Sequence, residues 1–217
     1  MYRYVIFDLD GTLLNTLDDL ADAGNHVCRA HGWPTHPVEA YKRFVGNGVP
    51  KLVERFSPAG ERTEEERAAV LREFVAYYDA HKADKTAPYP GIPELLALLK
   101  ENGIAMSVLT NKGHDLAGPV IEGYYPGVFP MVQGALPGVP AKPEPTLLNR
   151  LLERMGAVRE ETLFVGDSNV DIRTAKNGGL ASCGVLWGFR DREELEAEGA
   201  DHIVSTTEEL AALILNP

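Results

Sequence analysis

Two carboxylates close a hydrophobic run near the start of the chain. In "VIFDLDGTLL" (residues 5–14), Val5, Ile6 and Phe7 suit a buried strand; Asp8 and Asp10 then follow two residues apart, before Gly11 and Thr12 end the run. Side chains at i and i+2 of a strand share a face about 6.7 Å apart. Two unit charges at that distance repel by about 2.5 kcal/mol at an effective dielectric of about 20. The pair therefore needs a cation or a proton. A divalent cation such as Mg²⁺ takes oxygen ligands from one or two carboxylates together with a phosphate. A proton kept on one acid would instead make it a general acid beside an ionised neighbour. Gly11 allows a close backbone turn, and Thr12 offers a hydroxyl or a cap. A turn without chemistry would not call for two acids directly after a buried strand.

Other runs end with matching parts. "SVLTNK" closes with Thr110 and Asn111, small donors suited to a phosphoryl oxygen, and "LFVGDSNVD" closes with Asp167 and then Asp171. In "VPAKPEP", Lys142 is held stiffly among Pro140, Pro143 and Pro145. A lone lysine is usually a solvated surface group, but several converging acids need a neutralising charge.

These residues must be positioned by a sheet. Strand-like runs at 4–8, 104–110, 128–133, 162–167 and 181–187 alternate with helical patterns at 93–103, 145–156 and 170–179. The alternation predicts an α/β fold with a mostly parallel, doubly wound sheet, whose ligands bind outside the carboxyl ends of the strands. Residues 15–85 carry helical spacing and no convincing strand, notably at 64–81. The predicted division is a core of 1–14 and 86–217 with an all-α insert at 15–85, hinged near 14–16 and 83–88.

The 217 residues suffice for a core of this kind without a disulfide or metal staple. Cys28 and Cys183 have no metal-ligand or redox spacing and are expected to be reduced and structural. The first residues are too short an apolar run for a signal peptide, and no segment approaches a membrane span, so a cytoplasmic location is expected. A net charge of −11 argues against nucleic acid or an anionic membrane as partner. The expected partner is a small molecule, and the oligomeric state is left open.

"DLDGT" (8–12), Thr110 at a strand end, Lys142 and "GDSNVD" (166–171) together resemble the four motifs of the haloacid dehalogenase superfamily of phosphohydrolases, in order and over essentially the whole chain. The resemblance implies a Rossmann-like core, a Mg²⁺ cofactor and a phosphate-ester substrate. It implies Asp8 as nucleophile, forming an aspartyl-phosphate, and Asp10 as the acid and then the base. Thr110 and Lys142 would bind the phosphoryl group. Asp8, Asp10 through its backbone carbonyl, and Asp167 would hold the metal, with Asp171 supporting the metal or Lys142. Members that cleave carbon–halogen bonds lack an acid at position 10, which sets dehalogenation aside. The insert looks like the family's small cap.

Within the superfamily, "FVGNGVPKLVERF" (44–56) and "GVLWGFRDREEL" (184–195) look most like phosphoglycolate phosphatases, which points to 2-phosphoglycolate as substrate. Asn47 and Lys51, with Arg55 beside them, are the insert's candidates for substrate contact; Arg190 is a candidate at the mouth of the core. His26, His31 and His36 lack ligand spacing. A pyrophosphatase or sugar-phosphate phosphatase, a phosphosugar mutase, and a receiver-like module that accepts phosphate without turnover remain as alternatives. The last conflicts with the N-terminal place of Asp8 and with the long insert.

Overall fold

The computed structural model describes residues 2–216. The chain forms two compact units, Met1–Leu14 with Pro88–Pro217, and Asn15–Ala87. The strands are β1 (Tyr4–Phe7), β2 (Leu14–Asn15), β3 (Ala87–Pro88), β4 (Ala105–Gly113), β5 (Val132–Ala135), β6 (Thr162–Gly166), β7 (Ala181–Val185) and β8 (His202–Val204). Six of them form one sheet in the order β5-β4-β1-β6-β7-β8, and β2 and β3 make a separate two-stranded sheet. Each pairing in the large sheet is parallel.

Alternation along β1 explains the layering of the first unit. Val5 and Phe7 pack on one face against α5 (Ile92–Glu101), α6 (His114–Tyr124) and α10 (Thr207–Leu215). Ile6 packs on the other face with Leu147, Leu148, Leu151 and Leu152 of α7 (Thr146–Met155) and Ala175 of α8 (Asn169–Asn177). A strand buried on both faces reads as a continuous apolar run, which β1 and β6 do.

Three features depart from the sequence expectation. The strand placed at 128–133 is β5, Val132–Ala135, and β8 forms an edge beside β7. α6 contains Pro119, a residue that breaks helices by propensity. Burial of Ala117, Val120 and Ile121 in the core outweighs that preference.

The second unit is helical: α1 (Leu17–Ala30), α2 (Val38–Phe44), α3 (Val49–Phe56) and α4 (Glu64–His81). Thr63 and Glu66 form a capping box that starts α4. Its core is aromatic, with Tyr41, Phe56, Phe74 and Tyr78 in ring contact. Among the described residues no helix is long and apolar enough to cross a membrane.

Candidate active site

The registers Phe7–Val108 and Phe7–Val165 bring β4, β1 and β6 to their carboxyl ends together. Asp8 follows β1 directly, and its backbone N–H donates to the Val165 carbonyl at 2.9 Å. Asp167 follows β6, and Thr110 lies in the last part of β4. Three expected residues thus share one sheet edge, because β1 and β6 end there and the regular pairing of β4 with β5 stops at Leu109–Gln133.

Lys142 joins two of the acids. Its Nζ donates to Asp8 Oδ1 at 2.8 Å and to Asp171 Oδ1 at 2.6 Å, and its side chain is 3% exposed. Asp171 Oδ2 accepts from the Ser168 N–H at 3.1 Å and the Ser168 hydroxyl at 2.7 Å, so the carboxylate also closes the first turn of α8. Asp167 Oδ2 accepts from the Phe189 N–H at 2.7 Å. Neighbouring glycines permit this crowding. A Cβ on Gly166 would lie 2.2 Å from the Asp171 Cβ, and one on Gly11, at φ +90°, would lie 2.3 Å from Asp167 Oδ2.

The electrostatics follow from burial. Desolvation pushes the Asp8 carboxyl up to about 7 from its ordinary 3.8; Lys142 opposes the rise, while Asp171 and Asp10 add to it. Asp167 is raised well above the usual range, first by burial and then by Asp171 and Asp8, with Phe189 N–H and Arg190 opposing. Burial disfavours the Lys142 ammonium, but Asp171 and Asp8 outweigh it and hold the group above its ordinary value.

One carboxylate oxygen each from Asp8, Asp167 and Asp171 lies within 4.8 Å of the others, and all three residues are buried. Three hard oxygen donors whose negative charge Lys142 offsets only in part suit a small divalent cation, so the residues present fit Mg²⁺. The Asp10 carboxylate is outside this group. It accepts from Lys112 Nζ at 3.0 Å and 3.3 Å, which leaves only its backbone carbonyl for the metal role expected from the sequence.

Thr110 Oγ1 accepts from the Lys112 N–H at 3.1 Å, leaving its own hydroxyl proton to donate. Asn111 is used differently from expectation. Its Nδ2 donates to the Lys142 carbonyl at 3.0 Å and its Oδ1 accepts from the Lys142 N–H at 2.9 Å, so it clamps the lysine's backbone. Lys112 and Tyr89 were missed from the sequence. Lys112 had a legible signal, since position 112 returns to the face of Thr110 in a strand. Burial, and then Asp167 and Asp10, push the Tyr89 phenol up, which keeps it a neutral hydroxyl near these acids.

Arg190 is buried, pairs with Glu194 at 3.0 Å, and adds positive charge near Asp167. Asn47 and Lys51 belong to the helical unit. Asn47 Oδ1 accepts from Arg55 at 2.7 Å, and Lys51 pairs with Glu54 at 2.7 Å. Both line a cavity of about 860 Å³ within that unit, together with Arg62 and Arg67. His26 stacks on Tyr77, His31 pairs with Glu73, and His36 bonds the Phe56 carbonyl. Cys28 and Cys183 are buried free thiols.

The haloacid dehalogenase-like hydrolase family model matches residues 5–185. The phosphoglycolate phosphatase of Pseudomonas putida is 31% identical over 216 residues, spanning 98% of this chain and 78% of its own. That of Vibrio parahaemolyticus is 32% identical over 220 residues, spanning 98% and 96%. A solved structure from Lactobacillus delbrueckii subsp. bulgaricus, provisionally named a phosphoglycolate phosphatase, has a TM-score of 0.93 at 33% identity and covers 100% of this chain and 99% of that one.

Proposed function

The chain belongs to the haloacid dehalogenase-like hydrolases, and on that premise we propose that it is a Mg²⁺-dependent phosphatase of small phosphate monoesters, with 2-phosphoglycolate as substrate. The observation that carries the chemistry is the buried Asp8 bridged by Lys142 to Asp171, with Asp167 alongside. The names of the relatives carry the choice of substrate.

In this reading a carboxylate oxygen of Asp8 attacks phosphorus, the P–O bond to the leaving alcohol breaks, and Asp10 delivers a proton to the departing oxygen. The product is an aspartyl-phosphate on Asp8 and a free alcohol. Asp10, now a carboxylate, takes a proton from water as that water attacks phosphorus, which releases inorganic phosphate and restores Asp8. The Thr110 hydroxyl and the Lys142 ammonium hold the transferring oxygens, where developing charge is best stabilised by donors already in place. Asn111 fixes Lys142 through its backbone, and Asp171 fixes it through its side chain. Asp8, Asp167 and the Asp10 carbonyl would hold Mg²⁺, which when bound offsets charge between the nucleophile and the phosphoryl oxygens.

The test is inorganic phosphate release from 2-phosphoglycolate with Mg²⁺, using Asp8→Asn as the blank. The proposal expects kcat/KM of about 10⁴ M⁻¹s⁻¹ or more above that blank. Cleavage of an aryl phosphate without release from 2-phosphoglycolate would keep the chemistry and overturn the substrate.

A further inference from the structure

The site contains two buried ammonium groups, and they do not share a carboxylate. Lys142 meets Asp8 and Asp171, on the side of the nucleophile. Lys112 meets Asp10, with side-chain exposures of 3% for the lysine and 14% for the acid. Burying a lysine charge is costly unless its partner is well placed. The position of this one is strongly determined.

The segment that carries Lys112 is built for placement. β4 pairs regularly with β5 up to Leu109–Gln133, and the register then shifts before Gly113–Ala135. Inside that irregular stretch the Lys112 N–H donates to Thr110 Oγ1, Asn111 clamps the backbone of Lys142, and beyond it the Gly134 N–H donates to His114 Nδ1 at 3.2 Å. The neighbours of Lys112 on both sides are thus tied through the Asn111 and His114 side chains to other segments. Its Nζ approaches both oxygens of Asp10 at similar distances, 3.0 Å and 3.3 Å. A single cation seated between the two oxygens restrains the rotation of the carboxylate while leaving its outer edge for another partner.

We infer that Lys112 is a positioning residue for proton transfer at the leaving oxygen: it holds the Asp10 carboxylate in the orientation from which a proton reaches the departing alcohol. The inference rests on the reading of Asp10 as proton donor given above. It separates the work of the two lysines. Lys142 serves the transfer to Asp8 from every phosphate ester, whereas Lys112 matters to that transfer only where the leaving group needs a proton; the later attack of water, with Asp10 as base, is common to all esters.

Leaving-group dependence tests this directly. The full chain, its Lys112→Met and its Lys112→Arg variants are assayed with Mg²⁺ on 2-phosphoglycolate, ethyl phosphate and p-nitrophenyl phosphate. The first two release alkoxides that require protonation, and the third releases a stable phenolate. The rate of phosphoryl transfer to Asp8 is read as release of the alcohol or nitrophenolate in a single turnover. For Lys112→Met, that rate should fall by about 10²-fold on both alkyl esters and change by less than about threefold on p-nitrophenyl phosphate, while the later hydrolysis step slows alike for all three. Retained nitrophenolate release in the first turnover also shows that the variant is folded. Lys112→Arg should recover part of kcat on the alkyl esters.

An equal loss of the single-turnover transfer rate on all three esters would overturn the inference, as would no loss on any. A loss confined to 2-phosphoglycolate and expressed in KM would also overturn it, because Lys112 would then be binding the substrate's carboxylate. A native protein that cleaves none of the three would remove the phosphatase reading itself and this inference with it.

Discussion

Asp171 divides its carboxylate between two tasks. Oδ2 ties the first turn of α8 to Ser168, and Oδ1 takes the Lys142 ammonium, so the start of a helix and the position of a lysine are set by one side chain. Gly166 makes room for it, with no space for a Cβ. In Gly166→Ala, Asp171 must move and Lys142 with it. A displacement of about 1 Å in such a group costs about 10²-fold in rate. Steady-state kinetics on p-nitrophenyl phosphate should show kcat reduced by that order, with circular dichroism unchanged. Residue types at the strand ends were legible from the sequence, because four acids and a proline-framed lysine have few other uses in a parallel sheet. The partners of Asn111 were not. Its neighbour Thr110 points to the opposite side of the strand, and which side carries Lys142 depends on a loop that local pattern does not specify.

At the scale of elements, the second unit is closed by one acid. Asp19, in the first turn of α1 and 2% exposed, accepts from the Lys85 N–H at 3.0 Å, the Thr86 N–H at 2.8 Å and the Thr86 hydroxyl at 2.7 Å. These bonds join the beginning of the unit to its last residues. Asp19→Ala would leave these donors without their acceptor inside the protein, and denaturant unfolding should show a loss of about 2–4 kcal/mol. From the sequence, Asp19 is one of two acids at a helix start, where the dipole alone would justify it. Its partners lie 66 and 67 residues away, beyond any periodicity. The same limit applies to α6, where Gly118, Pro119 and Gly123 argue against a helix that core burial nonetheless forms. Long apolar runs such as β1 and β6 were legible because a strand buried on both faces leaves no polar alternation to misread.

For the whole molecule, the acidic site is a source of instability that the proposed cation would relieve. Asp8 holds a proton in the folded chain up to about 7, whereas the unfolded chain releases it near its ordinary 3.8. The folded state then binds more protons over that interval, so without divalent metal this group's contribution to stability falls as pH rises from about 4 to about 7. Asp167, raised by burial and by its neighbours, acts in the same direction. On the proposed reading Mg²⁺ would bind the folded site and displace those protons, so it should raise Tm more at pH 8 than at pH 5.5, and Asp8→Asn should flatten the difference. Differential scanning calorimetry with and without Mg²⁺ at the two pH values measures this.

The α/β class and a mostly parallel sheet that includes β1 were legible from the apolar runs; the place of β1 between β4 and β6 and the short, half-polar edge strand β8 were not. The central claim, covalent transfer to Asp8, is tested most directly with Asp10→Asn, Mg²⁺ and p-nitrophenyl phosphate, whose phenolate leaves without a proton. Intact-protein and peptide mass spectrometry after an acid quench should find one phosphoryl group, on Asp8. An unmodified Asp8 in a variant that has released nitrophenolate, or a phosphoryl group on another residue, would contradict the account.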